Sequence, residues 1–135
     1  MKISSLTIDP VAVEQGEWIE NLPDCDDLRI LSKGMNCVAA KQLISEKMAS
    51  LPRNVRAALP VSENERINLE VAVEVCILGW ENLTDDDGAP ILYSKEQATA
   101  YIKDRKYEPL QVAFLVAANR VGDARKKDAA KIAKN

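Results

Sequence analysis

The chain has 135 residues, of which 47% are hydrophobic, and its formal net charge is −3. This length fits one domain with a core of its own, and the acidic balance argues against a surface that binds nucleic acid. The chain contains no histidine, which removes the usual general base and the commonest metal ligand, so we predict no enzyme activity and no catalytic, metal-binding or cofactor-binding residues.

The N-terminal part of the chain is predicted to be extended. Residues 1–15 alternate weakly between apolar and polar side chains and contain Pro10, which predicts an edge strand or an arm. Two short β-prone segments follow, residues 17–20 and 27–31, and the turn-forming residues 21–26 separate them. Together they predict a β-hairpin. A two-stranded hairpin is only marginally stable, so its apolar face should be covered by the helices that follow.

The first predicted helix runs from Asn36, a favourable N-cap residue, to about residue 50, because apolar side chains recur at spacings of three and four. Its inward stripe consists of Leu43, Ile44 and Leu51. Pro52 stops this helix, and residues 53–59 can add one further helical turn.

A capping box at Ser62–Glu65 predicts the start of the strongest element, a helix from Glu63 to Trp80. Its polar residues fall on one stripe, where Arg66 and Glu70 are placed for an i,i+4 ion pair. Apolar side chains occupy the rest of the circumference, which is typical of a central helix packed on several sides. We expect Trp80 to belong to the core.

Asp86, Asp87 and Gly88 predict a tight turn after this helix. A calcium site is not predicted at this turn, because an EF-hand with its glycine at Gly88 would need an oxygen ligand at Leu83 and a bidentate carboxylate at Ser94, and neither residue supplies it. Ser94 instead begins a capping box, with Gln97 at its third position. It predicts a short helix from residue 95 to about 104 that turns three side chains inward, namely Ala98, Tyr101 and Ile102.

The last predicted helix starts after Pro109 and is apolar nearly all round as far as Val121. We therefore predict a single α+β domain over residues 1–121, mostly helical, in which the N-terminal β-hairpin packs on a bundle of about four helices. Residues 122–135 are predicted to form a polar, partly disordered helical tail with a basic bias, whose charges are expected to be solvated.

Two strongly apolar helices are more than the core of a domain this small requires. Either both pack on each other and on the hairpin, or part of the second one faces another chain. On the second interpretation, Phe114 and Ala117 face inward. The predicted partner-binding residues are Val112, Leu115, Val116 and Trp18.

Several short patterns together resemble a known family. They are an apolar helix ending in Gly79-Trp80, the polar loop Asp85-Asp86-Asp87-Gly88, the segment Pro90-Ile91-Leu92-Tyr93-Ser94, and Tyr101-Ile102 on the next helix. Over residues 17–121 the chain resembles the tail assembly chaperones of long-tailed, siphovirus-like bacteriophages. The resemblance implies a non-enzymatic protein that binds and shields the hydrophobic tape measure protein during tail morphogenesis. It also implies the tape measure protein or other tail proteins as partners, and self-association into homo-oligomers.

The expected location is the cytoplasm, which for a phage-encoded protein is that of the host cell. The three cysteines are odd in number and lack CxxC spacing, as is typical of a reducing compartment. No signal peptide and no membrane-spanning stretch is recognisable, so no membrane partner is expected. The alternative function is a structural virion protein, of the tail or the head-tail connector, that acts through oligomeric interfaces. A small enzyme or a nucleic-acid regulator is the least favoured class.

Overall fold

The computed structural model describes residues 1–123, which form an α+β fold that is mostly helical. Six α-helices and one three-stranded antiparallel sheet make up this part of the chain. The helices are α1 (Pro10–Gln15), α2 (Val38–Ala49), α3 (Arg53–Ala57), α4 (Val61–Val71), α5 (Lys95–Ile102) and α6 (Glu108–Arg120). The strands are β1 (Glu17–Ile19), β2 (Arg29–Ser32) and β3 (Ile77–Glu81). The predicted class is confirmed, but the sheet has a third strand and is more than a hairpin on a four-helix bundle.

The predicted hairpin consists of β1 and β2, with Trp18 opposite Leu31 and Ile19 opposite Ile30. Side chains alternate between the two faces of a strand. Ile19 and Ile30 therefore share the inner face, where both are completely buried, and Trp18 lies on the outer face. The inner face packs against α5 and α6, so the prediction that helices cover the hairpin is confirmed.

The predicted helix from Glu63 to Trp80 is wrong at its C-terminal end. The chain leaves α4 at Val71, makes one wider π-helical turn and continues as β3, which pairs with the free side of β2. Trp80 lies opposite Ile30 and so joins the inner face of the sheet. Ile77 and Trp80 are residue types favoured in strands, and the pairing satisfies backbone groups that β2 would otherwise leave without partners.

Residues 1–15 do not form the predicted edge strand or arm. They fold as a 3-10 turn, Ile3–Leu6, followed by α1. The helix forms because the Asp9 carboxylate accepts hydrogen bonds from two backbone N–H groups of the first turn, at 3.1 and 3.3 Å, and Pro10 occupies the first helical position. Extended pairing is limited to an isolated bridge between Ile8 and Asp123.

Two predicted helix caps are also wrong. No side chain within α2 or next to it caps this helix, which begins two residues after Asn36. Its first N–H group, on Val38, donates instead to the Glu14 carboxylate of α1 at 3.1 Å. The next helix, α4, begins one residue before Ser62, and Pro60 stands at its N-cap position. A tertiary contact therefore replaces the local cap of α2, and no side-chain hydrogen bond caps α4.

The turn and the cap in the second half of the chain are confirmed. Gly88 adopts a φ of +84° at the predicted turn, where the Asp85 carboxylate accepts two backbone hydrogen bonds at 2.9 Å. The hydroxyl of Ser94 accepts a hydrogen bond from the N–H of Gln97 at 3.0 Å. Local side-chain chemistry is sufficient at both places, because every partner lies within four residues along the chain.

Two hydrophobic clusters meet on α6. The first lies between the sheet, α5 and α6, and its largest completely buried side chain is Phe114, which stacks on Trp80 with 6.1 Å between ring centroids. The second lies between α1, α2 and α4, and α6 contributes Ala118 to it. The predicted inward stripe of α2 packs partly buried against the second cluster; it consists of Leu43, Ile44 and Leu51. Within residues 1–123, no helix has both the length and the hydrophobicity to cross a membrane.

Candidate partner-binding surfaces

Apolar side chains are concentrated on the surface of residues 1–15, which we call the N-terminal segment. Five of its large apolar side chains are more than half exposed: Met1, Ile3, Leu6, Ile8 and Val11. Single exposed apolar residues are common on soluble proteins, whereas a group of them on one segment is typical of an interaction site. This group is therefore a candidate partner-binding surface.

The N-terminal segment is fixed to the C-terminal end of α6. The N–H of Asp9 donates to the carbonyl of Gly122 at 2.9 Å, and the N–H of Gly34 donates to the carbonyl of Val13 at 2.9 Å. The Val13 side chain is buried in the second cluster. The N-terminal segment thus contacts the body of the domain through its backbone at the N-cap of α1 and within α1.

A cleft of about 480 Å³ separates the N-terminal segment from the C-terminal half of α6, and we call it the N-terminal groove. Its apolar lining residues are Leu6, Ile8, Met35, Ala118 and Val121. Asn36 and Asn119 add neutral polar groups, and Asp123 is the one charged residue among those that line the groove within the described chain. A mostly neutral, partly apolar groove of this kind suits the apolar face of a helix.

The predicted partner-binding residues of α6 lie on the side of the helix that faces away from Phe114. Val112 is exposed, and Leu115 is half-buried. Val116 is half-buried and packs against the edge of the first cluster. The predicted inward direction of Phe114 and Ala117 is confirmed, since both are completely buried. We call Val112, Leu115 and Val116 the outward stripe of α6. Asn119, which lines the N-terminal groove, lies one turn after Leu115 and donates a hydrogen bond to its carbonyl at 2.8 Å. The outward stripe therefore leads into this groove.

Trp18 is not brought together with the α6 residues. It lies on the outer face of the sheet, where the Arg29 guanidinium carbon is 4.8 Å from the centre of its ring. The inner face of the same sheet packs against α6, so the sheet separates the two sets. Trp80 belongs to the core, as predicted: its indole N–H donates to the carbonyl of Ile91 at 2.7 Å.

Two of the three thiols, those of Cys25 and Cys76, are poor nucleophiles. Burial, followed by the neighbouring Cys37, raises the pKa of Cys76 to about 12. Burial, with the carboxylates of Asp24 and Asp26 next in importance, raises the pKa of Cys25. Because the thiolate is the reactive form, both groups are protonated and unreactive at neutral pH.

A charged cleft between α2, α4 and α5 contains the ion pair predicted on α4. Arg66 donates to Glu70 at 2.9 Å, and Lys47 of α2 donates to the same carboxylate at 3.0 Å. Burial opposes ionisation of Glu70, but the two cationic donors outweigh it and lower the pKa of this carboxyl. The ionised form of Glu70 therefore contributes to stability in the folded state.

We expect Glu70→Gln to reduce stability only where the carboxyl is ionised. A lowered folded-state pKa gives a contribution that is present above the ordinary value of 4.5 and is lost as the pH falls through the folded-state pKa. The loss at pH 7 should be below about 1 kcal/mol, because the pair is partly exposed. Urea unfolding at pH 7 and at about pH 2.5 measures both values. Glu65→Gln, on an exposed residue of the same helix, is the control, and an equal effect of Glu70→Gln at both pH values would contradict the prediction.

Sequence reasoning missed the N-terminal segment as a binding surface. The apolar spacing of residues 3, 6, 8 and 11 was visible, and so was the Asp9-Pro10 pair, which is a helix-start signal. What the sequence could not reveal is that this segment lies beside the C-terminal half of α6. That neighbour makes it one wall of a groove.

The chain matches a known protein family. A family described as "YdaY prophage protein" matches residues 35–135, which include α2 to α6 and β3. No curated protein and no solved structure matches the chain.

Proposed function

Since the chain belongs to the YdaY prophage protein family, we propose that it is a phage tail assembly chaperone. In this proposal it binds the hydrophobic tape measure protein and shields it while the tail is built, without catalysing a reaction. The phage origin follows from the family, and the chaperone role rests on the surface of the domain together with the sequence resemblance.

The observation that carries the proposal is the group of exposed apolar side chains on the N-terminal segment. Leu6 and Ile8 are 65% and 54% exposed and form one wall of the N-terminal groove. Exposed apolar surface of this kind lowers solubility unless a partner covers it. A chaperone needs such a surface, because its client is an apolar helix that would otherwise aggregate.

The client site we propose joins the N-terminal groove to the outward stripe of α6. Leu6 and Ile8 would contact one side of the client helix, and Val112 and Leu115 would contact the other. The client helix would present apolar residues at positions i, i+3, i+4 and i+7. Because Asp123 is the only charged residue lining the described groove, specificity would come from shape and apolar area.

Co-expression with the long helical protein encoded beside this chain tests the proposal. We expect the soluble yield of that protein to rise when the chain is present. We also expect the chain to be absent from purified phage particles, as measured by mass spectrometry. An unchanged yield, or many copies of the chain in the finished particle, would overturn the proposal.

Two charge substitutions locate the client site. Leu6→Asp and Leu115→Asp should each weaken client binding by more than about tenfold, because a central apolar anchor contributes about 2 kcal/mol or more. Leu92→Asp is the matched control, because Leu92 is also strongly exposed but lies outside the groove and α6. Titration calorimetry with a client helix measures the three affinities, and circular dichroism checks the fold. Normal client binding by folded Leu115→Asp would exclude α6 from the site.

A further inference from the structure

Three sulfur atoms lie side by side in the second hydrophobic cluster. The Cys76 thiol is 3.8 Å from the thioether sulfur of Met35, and the Cys37 side chain is hydrogen-bonded to that of Cys76. Cys37 and Cys76 are buried, and Met35 is partly buried. We call Met35, Cys37 and Cys76 the sulfur triad.

Backbone hydrogen bonds hold the sulfur triad together. Met35 and Cys37 belong to the loop between β2 and α2, and Cys76 is the last residue before β3. The N–H of Lys33 donates to the carbonyl of Cys76 at 2.8 Å, and the N–H of Met35 donates to the carbonyl of Ala118 at 2.9 Å. The loop is therefore attached both to the start of β3 and to α6, so folding alone brings the three sulfur atoms together.

The spacing of the sulfur atoms fits a bound metal ion. A metal–sulfur bond is about 2.3 Å long, so two sulfur ligands of one ion are about 3.8 Å apart at a tetrahedral angle and about 4.0 Å apart at a trigonal angle. The 3.8 Å between the sulfur atoms of Cys76 and Met35 agrees with this range. An ion between the three side chains would require little movement of these two sulfur atoms.

The ligand types indicate which ion fits. Thiolate and thioether sulfur atoms are soft donors, and the combination of cysteine with methionine favours Cu(I). A structural zinc site normally takes four ligands from cysteine, histidine and carboxylate side chains. Among residues 1–123, no group of three or more such side chains is placed to hold a metal ion. The sulfur triad therefore fits Cu(I), which is stable with fewer ligands and accepts a thioether.

The charges at the sulfur triad balance when Cu(I) replaces two thiol protons. Both protons pass to the solvent as the two cysteines bind the ion. One Cu(I) with two thiolates and a neutral thioether carries one negative charge. Burial and Cys37 raise the pKa of Cys76, whereas the nearby Lys33 ammonium lowers it. A positive charge is thus close enough to offset the negative charge of the complex.

The N-terminal groove gives access to the sulfur triad. Met35 lines this groove, whereas the buried Cys37 and Cys76 lie behind its surface. An ion that enters the groove therefore meets the thioether first. The outermost ligand is the one with no proton to lose, and the two thiols complete the coordination inside the domain.

We propose that Met35, Cys37 and Cys76 form a binding site for one Cu(I) ion. The bound ion would join the loop before α2 to the start of β3. Sequence patterns do not reveal this site, because the two cysteines lack CxxC spacing and only the fold brings Met35 next to them. The inference does not rest on client binding, since metal binding is measured on the chain alone.

Anaerobic titration of the full-length chain with Cu(I) tests the proposal. Bicinchoninic acid, a coloured Cu(I) chelator, is the competitor, and a reductant without thiols keeps the cysteines reduced. We expect the natural chain to take one Cu(I) per molecule from the chelator, as counted by native mass spectrometry. Zn²⁺ at the same concentration should not bind measurably. Failure to take Cu(I) from the chelator, or equal binding of Zn²⁺, would overturn the proposal.

Two variants show whether the ion is at the sulfur triad. Leucine has a volume similar to that of methionine but no sulfur atom, so Met35→Leu should stay folded and bind Cu(I) at least tenfold more weakly. Cys25→Ser is the matched control, because Cys25 is a free cysteine outside the triad, and it should bind Cu(I) as the natural chain does. Circular dichroism checks both folds. Unchanged affinity in Met35→Leu, or lost affinity in Cys25→Ser, would mean that the three sulfur atoms are only packed together.

Thermal unfolding provides a second measurement. Cu(I) should raise the unfolding temperature of the natural chain, because the folded chain holds the three ligands together and so binds the ion more tightly than the unfolded chain does. In Cys37→Ala the rise should disappear. If Cys37→Ala does not fold without metal, Met35→Leu provides the comparison and should show a smaller rise. An equal rise in the natural chain and in the folded variant would contradict the proposal.

Discussion

Replacement of Phe114 by alanine is expected to lower the free energy of unfolding by about 3–5 kcal/mol, which is the usual range for removal of a buried aromatic ring. Phe114 is completely buried and lies between the inner face of the sheet and α5. Its ring is nearly parallel to that of Trp80, with an interplanar angle of 13°. The substitution would remove the largest completely buried side chain of the first cluster and leave a cavity that the sheet and two helices cannot close.

Urea unfolding followed by the fluorescence of Trp80 and Trp18 measures this effect. Val112→Ala is the matched control on the same helix, because Val112 is exposed and a surface truncation usually changes stability by less than about 0.5 kcal/mol. A Phe114→Ala chain that keeps its stability but loses self-association or client binding would show that Phe114 serves a partner.

Gly122→Ala is expected to lower the free energy of unfolding by about 2–4 kcal/mol. Gly122 has a φ of +75°, a conformation that disfavours any residue with a Cβ atom. The added Cβ would also lie 2.8 Å from a methyl carbon of Val13 and 3.0 Å from the carbonyl oxygen of Asp9. Either the N-terminal segment or the end of α6 would have to move.

Gly88→Ala separates the strain of a positive φ from the close contacts of the added Cβ atom with Val13 and Asp9. Gly88 has a similar φ of +84°, and a Cβ atom added there would meet nothing within 4 Å. Its substitution should therefore show the backbone strain alone, about 1–2 kcal/mol. Thermal unfolding compares the two variants, and limited proteolysis reports whether residues 1–15 become easier to cleave. Equal losses in both variants would mean that the contact with Val13 relaxes without cost.

The displacement expected in the Gly122→Ala chain also bears on the proposed function. The N–H of Asp9 bonds to the carbonyl of Gly122, so a displaced Gly122 would also displace the wall that carries Leu6 and Ile8. A Gly122→Ala chain that remains folded should therefore bind a client helix less well than a Gly88→Ala chain of similar stability. Comparison of these two variants distinguishes the shape of the groove from the stability of the domain.

The sequence by itself determined the elements whose causes are local. The cap at Ser94 and the turn at Gly88 depend on side chains within four residues, so their patterns were sufficient. The apolar surface of α6 and the burial of Phe114 followed from helical periodicity. The β1–β2 hairpin followed from two β-prone segments on either side of a turn-rich linker.

Tertiary structure alone decided the elements whose partners are distant in sequence. The stretch from residue 72 to Trp80 is apolar except for Glu74, and such a run does not distinguish a buried helix from a strand. Its last residues become β3 because β2, about 50 residues earlier, offers an unpaired edge. Likewise, the Glu14 carboxylate replaced Asn36 in capping α2. The N-terminal groove forms between segments that are distant in the sequence, so periodicity could identify its apolar residues but not which of them share a surface.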